Sequence, residues 1–118
     1  MFDLQAESHN NVDILRLTGD VLLADVVEFN RRMEESIAAS NVPQAVLDLS
    51  QVGRMDNAGL GVLVSISTKL QGRGRRLVLL NPAPHVAQLL KDAEIEGFFP
   101  TCESEEELKG YNTPDAAE

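Results

Sequence analysis

Val12-Asp13-Ile14-Leu15-Arg16-Leu17 alternates apolar and polar side chains, imperfectly, and runs into Thr18-Gly19-Asp20, the pattern of a strand entering a turn. Residues 2–7 predict a weaker partner strand, with Asn10-Asn11 between them as a hairpin connection, since asparagine tolerates the left-handed backbone of tight turns. The period then changes. From Ala24 to Ser40, Val26 or Val27, Asn30, Met33 and Ile37 recur every three to four residues among Glu28, Arg31, Arg32, Glu34 and Glu35, which predicts an amphipathic helix ending before Pro43.

Ala45-Val46-Leu47-Asp48-Leu49 is too short for a helix and reads as a buried central strand. A second helix is expected from about Asn57 to Gln71, with Leu60, Leu63, Ile66 and Leu70 on its buried face, Gly72 as its stop and Gly74 loosening the turn. Leu77–Leu80 is the next buried strand, and Asn81-Pro82-Ala83-Pro84 opens a third helix striped by Val86, Leu89 and Leu90 that ends near Ala93. Phe98-Phe99 is expected to begin a last short strand or extended segment. Ser104-Glu105-Glu106-Glu107 should start a terminal helix, with acids at the positive end of its dipole and a disordered tail beyond Gly110. Strands alternating with helices predict an α/β domain whose sheet contains parallel neighbours.

Composition narrows the class. A chain of 118 residues fits one domain able to bury a core without disulfide or metal. Cys102 is the sole cysteine, which rules out an internal disulfide and suits a small buried apolar role. No basic region followed by an apolar run opens the chain, and no segment offers the roughly 18 apolar residues that span a bilayer, so a cytoplasmic protein with no direct membrane insertion is expected. Net charge is −9, divided into +5 over residues 53–91 (six Lys or Arg against Asp56) and −14 over the remainder (four against eighteen). That acidic bulk argues against nucleic acid as a partner. Arg73, Arg75 and Arg76 read as a solvated connection between helix and strand.

The stretch Met55-Asp56-Asn57-Ala58-Gly59-Leu60-Gly61 sits where a strand hands over to a helix, a place where α/β domains present function. Asp56 or Asn57 can cap the helix by accepting an unpaired backbone N–H, whereas Gly59 and Gly61 each cost about 1 kcal/mol inside a helix and so imply close packing on the sheet or on a partner. Asp48-Leu49-Ser50, Met55-Asp56 and Gly59-Leu60-Gly61 resemble the switch segment of the STAS family, the anti-sigma factor antagonists, whose pattern is strand, Asp-Leu-Ser, a spacer, Met-Asp-Ser-Ser-Gly-Leu-Gly, then helix. Element order extends the resemblance over roughly residues 2–109. It implies the STAS fold, a mixed four- to five-stranded sheet packed against about four helices, with the domain at residues 1–110 and an acidic tail at 111–118.

The resemblance also implies a function. An anti-sigma factor that is also a serine kinase of the ATPase fold phosphorylates the second hydroxyl residue of the family motif; the unmodified antagonist binds that kinase and frees the sigma factor. Asn57 and Ala58 stand here in place of the two hydroxyl residues, and Ala58, at the phosphosite position, has no oxygen to modify. The expectation is a permanently competent binder without enzymatic activity or cofactor, using Ser50, Asp56, Asn57, Ala58, Gly59 and Gly61, together with the helix start near Ala24. Rival readings are a regulatory subunit on the ATPase of a membrane lipid transporter and a sensor domain for a nucleotide or lipid.

Other chemistry is sparse. Ser50, Ser65, Ser67 and Thr68 are the nearby hydroxyls, with Ser50, at the strand end, the most accessible expected. His9 and His85 belong to no metal-ligand spacing, Gly72-Arg73-Gly74 lacks the rest of a dinucleotide fingerprint, and no phosphate-binding Gly-Lys-Ser occurs. An anion at the helix start near Asn57 and Ala58 would meet the charge of Asp56.

Overall fold

The first strands pair as their alternation requires. In the computed structural model, which describes residues 1–9, 12–40 and 42–105, β1 (Phe2–His9) and β2 (Val12–Val21) run antiparallel from Phe2↔Gly19 to His9↔Val12. A 3₁₀ turn at Leu23–Asp25 leads into α1 (Val26–Ala38), followed by β3 (Gln44–Met55), α2 (Asn57–Gln71), β4 (Arg76–Leu80), α3 (Pro84–Asp92), a 3₁₀ turn at Glu96–Phe98 and β5 (Thr101–Cys102). The sheet order is β1-β2-β3-β4-β5, with every pair after the first parallel.

Alternation along the strands divides the buried side chains between two faces of the sheet. Leu15, Leu17, Leu47, Leu49, Leu77 and Leu79 share one core with Phe29, Met33 and Ile37 of α1, Leu60, Leu63, Ile66 and Leu70 of α2, and Val86 and Leu90 of α3. Val12, Ile14, Val46, Val78, Leu80 and Cys102 form a second cluster built from strands alone. Cys102 is a buried free thiol, as its sequence context suggests.

Several boundaries move. The central strand is more than twice its expected length, because β2 runs beside it as far as Val21↔Met55 and pairs with the polar residues that follow Leu49. The first helix begins at Val26 rather than Ala24, and its buried line is Phe29, Met33 and Ile37, which leaves Val27 on the outside. Of the strand or extended segment expected from Phe98-Phe99, Phe99 has extended backbone and the strand itself starts at Thr101. Phe98 closes the 3₁₀ turn, Phe99 enters the core with the two rings edge to face at 5.0 Å, and Pro100, having no N–H to donate, delays the ladder to Leu79↔Thr101 and Leu80↔Cys102. Gly72 caps α2 with a right-handed φ of −64°, and the left-handed residue is Gly74 at +71°.

Arg75 departs from the solvated role expected of it. It is half-buried and donates from Nε to the Val42 carbonyl at 2.7 Å and from Nη1 to the Ile37 carbonyl at 2.9 Å, closing the C-terminal end of α1. Three α-helices lie among the described residues; the expected terminal helix is represented only by Glu105, and its continuation, the tail beyond Gly110 and the Asn10-Asn11 turn lie outside them. Glu105 is nonetheless fixed at one point, since its carboxylate meets Arg16 Nη2 at 3.1 Å.

Candidate functional site

The end of β3 delivers Asp56 with extended backbone, and its side chain caps α2: Oδ1 accepts from the N–H groups of Ala58 and Gly59, both at 3.1 Å. Oδ2 reaches across to a different element and accepts from Leu23 N–H at 3.0 Å. One carboxylate therefore joins the 3₁₀ turn before α1 to the first turn of α2. A second carboxylate secures the same turn from below, since Asp25 Oδ2 accepts from Leu22 N–H at 3.0 Å and its Oδ1 lies 3.1 Å from the Met1 amino group. These bonds, the backbone one first, hold the Asp25 carboxyl below its ordinary pKa. A folded-state pKa depressed in this way stabilises the fold above the unfolded value, and that contribution is lost as pH falls through the folded one.

The two glycines of the motif serve different ends. A Cβ on Gly59 would stand 2.9 Å from the Val21 carbonyl oxygen and about as close to the Met55 and Val21 side chains, so α2 is pressed onto the sheet there. Gly61 is exposed and nothing lies within 4 Å of where its Cβ would be. The internal fold thus explains Gly59 and leaves Gly61 unexplained. Leu60 between them is buried in the core, as expected.

Asn57, Ala58, Gly59 and Gly61 are brought together with Asp56 on the first turns of α2, Asn57 exposed and Ala58 half-buried. No acid lies in that first turn itself, and the positive end of the helix dipole is met by the Asp56 carboxylate at the N-cap. Ser50 is placed elsewhere. It sits inside β3, not at its end, about 20 Å before Asp56 along the strand, and bonds through N–H and Oγ to Asp48 Oδ1 at 2.9 and 2.7 Å. Of the other hydroxyls, Ser67 is buried without a partner for its Oγ, Thr68 bonds the Val64 carbonyl, and Ser65 is exposed four residues beyond Gly61.

Leu23, which the sequence pattern does not mark, and Val27, offered by it only as one choice for the buried stripe, are the further residues at the site. They are 69% and 82% exposed beside the site, although each is large and apolar. The phase of α1 carried a signal for Val27: Phe29 lies two residues on, which is the opposite side of a helix. Among the described residues no cluster of His, Cys, Asp and Glu could hold a metal ion, and no helix is long and apolar enough to cross a membrane. His85 is exposed.

A mixed five-stranded sheet with helices packed on one face and a capped helix start at a strand end defines a small α/β domain. The model of the STAS domain family matches residues 3–108, and the chain belongs to that family. The anti-sigma F factor antagonist of Paenibacillus polymyxa is 27% identical over 104 residues, covering 86% of this chain and 87% of that protein. Among solved structures, an anti-sigma factor antagonist from Mycobacterium paratuberculosis superposes with a TM-score of 0.84 at 19% identity, covering 96% of each chain. The unphosphorylated form of the anti-sigma factor antagonist SpoIIAA gives 0.76 at 20% identity, covering 93% of this chain and 96% of that one. At such identities these structures establish the shared fold.

Proposed function

We propose that this chain is an anti-sigma factor antagonist that docks an anti-sigma factor through the Leu23–Asp25 turn and the first turns of α2, and that Ala58 keeps it permanently competent to do so. The observation that carries the reading is the chemistry of the α2 start. Ala58 has no side-chain oxygen, and both oxygens of Asp56 are already occupied by the N–H groups of Leu23, Ala58 and Gly59. The partner in this reading is a serine kinase of the ATPase fold, which would bind this surface and find no hydroxyl there to modify. The antagonist relative and the family match support the general role.

Affinity capture from cell lysate with tagged parent and Ala58→Glu proteins tests it. A glutamate in the first turn of α2 suits the helix dipole, so the variant keeps its fold while placing a charge where a phosphate would sit. The expected result is an ATPase-fold kinase retained by the parent and weakened at least about tenfold by Ala58→Glu, as a buried unpaired charge at an interface requires. A kinase held equally by both, or a transporter ATPase held by both, would overturn the reading.

A further inference from the structure

Resting on the proposed function, we infer that Leu23 and Val27 form the apolar anchor of the partner interface, seated in an apolar cleft with a basic rim on the anti-sigma factor. Among the described residues the large exposed apolar side chains are Met1, Leu23, Val27 and Phe98. Single exposed apolar residues are ordinary on protein surfaces. Leu23 and Val27 are not single. They stand four residues apart where the 3₁₀ turn feeds α1, and the turn packs against α2 and is bonded to its N-cap Asp56.

The fold makes no use of either side chain, since the core-facing line of α1 is Phe29, Met33 and Ile37. It does hold their backbone firmly. Leu23 N–H is bound by Asp56, Leu22 N–H by Asp25, and Val21 lies under Gly59. An apolar pair that is fixed before binding forfeits little entropy on docking, and such rigid apolar contacts carry a disproportionate share of interface energy. Continuing past this pair, the surface reaches Ala58 and the open flank of Gly61, where a partner backbone can approach closely.

The charge around the pair gives the partner its chemistry. Asp20, Asp25, Glu28 and Asp56 flank it against Arg31, Arg54 and the Met1 amino group, with Arg31 paired to Glu28, Arg54 to Asp20 and Met1 to Asp25, which leaves the surround net negative within a chain of net charge −9. A cleft with a cationic rim is the complement. In such an arrangement the rim steers encounter and the apolar floor governs escape.

The test is biosensor kinetics with the purified ATPase-fold kinase and four versions of this protein: parent, Leu23→Ser, Val27→Ser and the double variant, with Arg73→Ala at the far end of α2 as a control. Both anchor positions are exposed, and thermal melting confirms that each variant is folded. The double variant is expected to dissociate about 30-fold faster than the parent, with an association rate within about threefold, while Arg73→Ala matches the parent. A parent that binds and a double variant that dissociates at the parent rate would overturn the anchor and leave the proposed function standing. A folded parent that does not bind the kinase at all would overturn both.

Discussion

Replacing Asp56 by alanine is expected to lower stability by about 2 kcal/mol, a fall in Tm of roughly 6 to 12 °C. The side chain accepts three backbone N–H groups, from Ala58 and Gly59 through Oδ1 and from Leu23 through Oδ2. Loss of a helix cap alone costs about 1 kcal/mol. The remainder comes from releasing the Leu23 N–H and with it the link between the Leu23–Asp25 turn and α2. Asp56→Asn separates the two contributions: its single carbonyl oxygen can serve the helix start or the Leu23 N–H, so about half of the loss is expected. Thermal melting measures both. Equal stability of parent and Asp56→Ala would show that the carboxylate does not join the two elements energetically.

Arg16→Leu is expected to cost about 2 kcal/mol, from a site on the strand-only face of the sheet. The guanidinium meets Glu7 at 2.8 Å from Nε, Asp48 at 2.8 Å from Nη1 and Glu105 at 3.1 Å from Nη2, tying β1, β2, β3 and the chain after β5 together. Glu7 first, then Asp48 and Glu105, raise its pKa above the ordinary arginine value, outweighing a smaller opposing effect of burial. Its charge is therefore constant wherever the protein is folded. Glu7 and Glu105 are partly solvated, so the sum of three buried ion pairs would overstate the loss. Asp48 is the costly partner, because it is buried and keeps only the bonds from Ser50 once Arg16 is gone. Adding Asp48→Leu beside Ile14 and Val46 should then restore part of the stability. Urea unfolding of the two single variants and the double one decides the matter, and strictly additive losses would contradict the coupling.

The clearest parts of the sequence were those where one physical cause acts alone. The helix Asn57–Gln71 has a capping carboxylate at one end, a glycine at the other and an apolar face between, and its bounds coincide with expectation. Ala45–Leu49 was recognisable as buried strand from its apolar run, but residues 50–55 are strand only because β2 lies alongside, a tertiary pairing that local pattern does not encode. Phe98-Phe99 was legible only in part for a related reason: two adjacent aromatics favour extended backbone, which Phe99 adopts, while Pro100 and the insertion of Phe99 into the core put the ladder at Thr101. At the site, Asp56 and the two glycines were legible, and the contrast between them was not, since only the packed sheet separates a crowded Gly59 from an open Gly61. Val27 was hidden by its neighbour Val26, as either satisfies the helical period until Phe29 sets the phase.

Prolonged incubation of this protein with ATP and the anti-sigma kinase proposed as its partner, followed by intact mass measurement and a calorimetric titration of the same sample, tests permanent competence most directly. No gain of phosphate and an affinity equal to that measured without ATP are expected, whereas Ala58→Ser, with a hydroxyl restored, gains one phosphate and binds less tightly. A phosphate on the parent chain with a matching loss of affinity would contradict permanent competence, and would place the switch on a hydroxyl other than the one that Ala58 replaces.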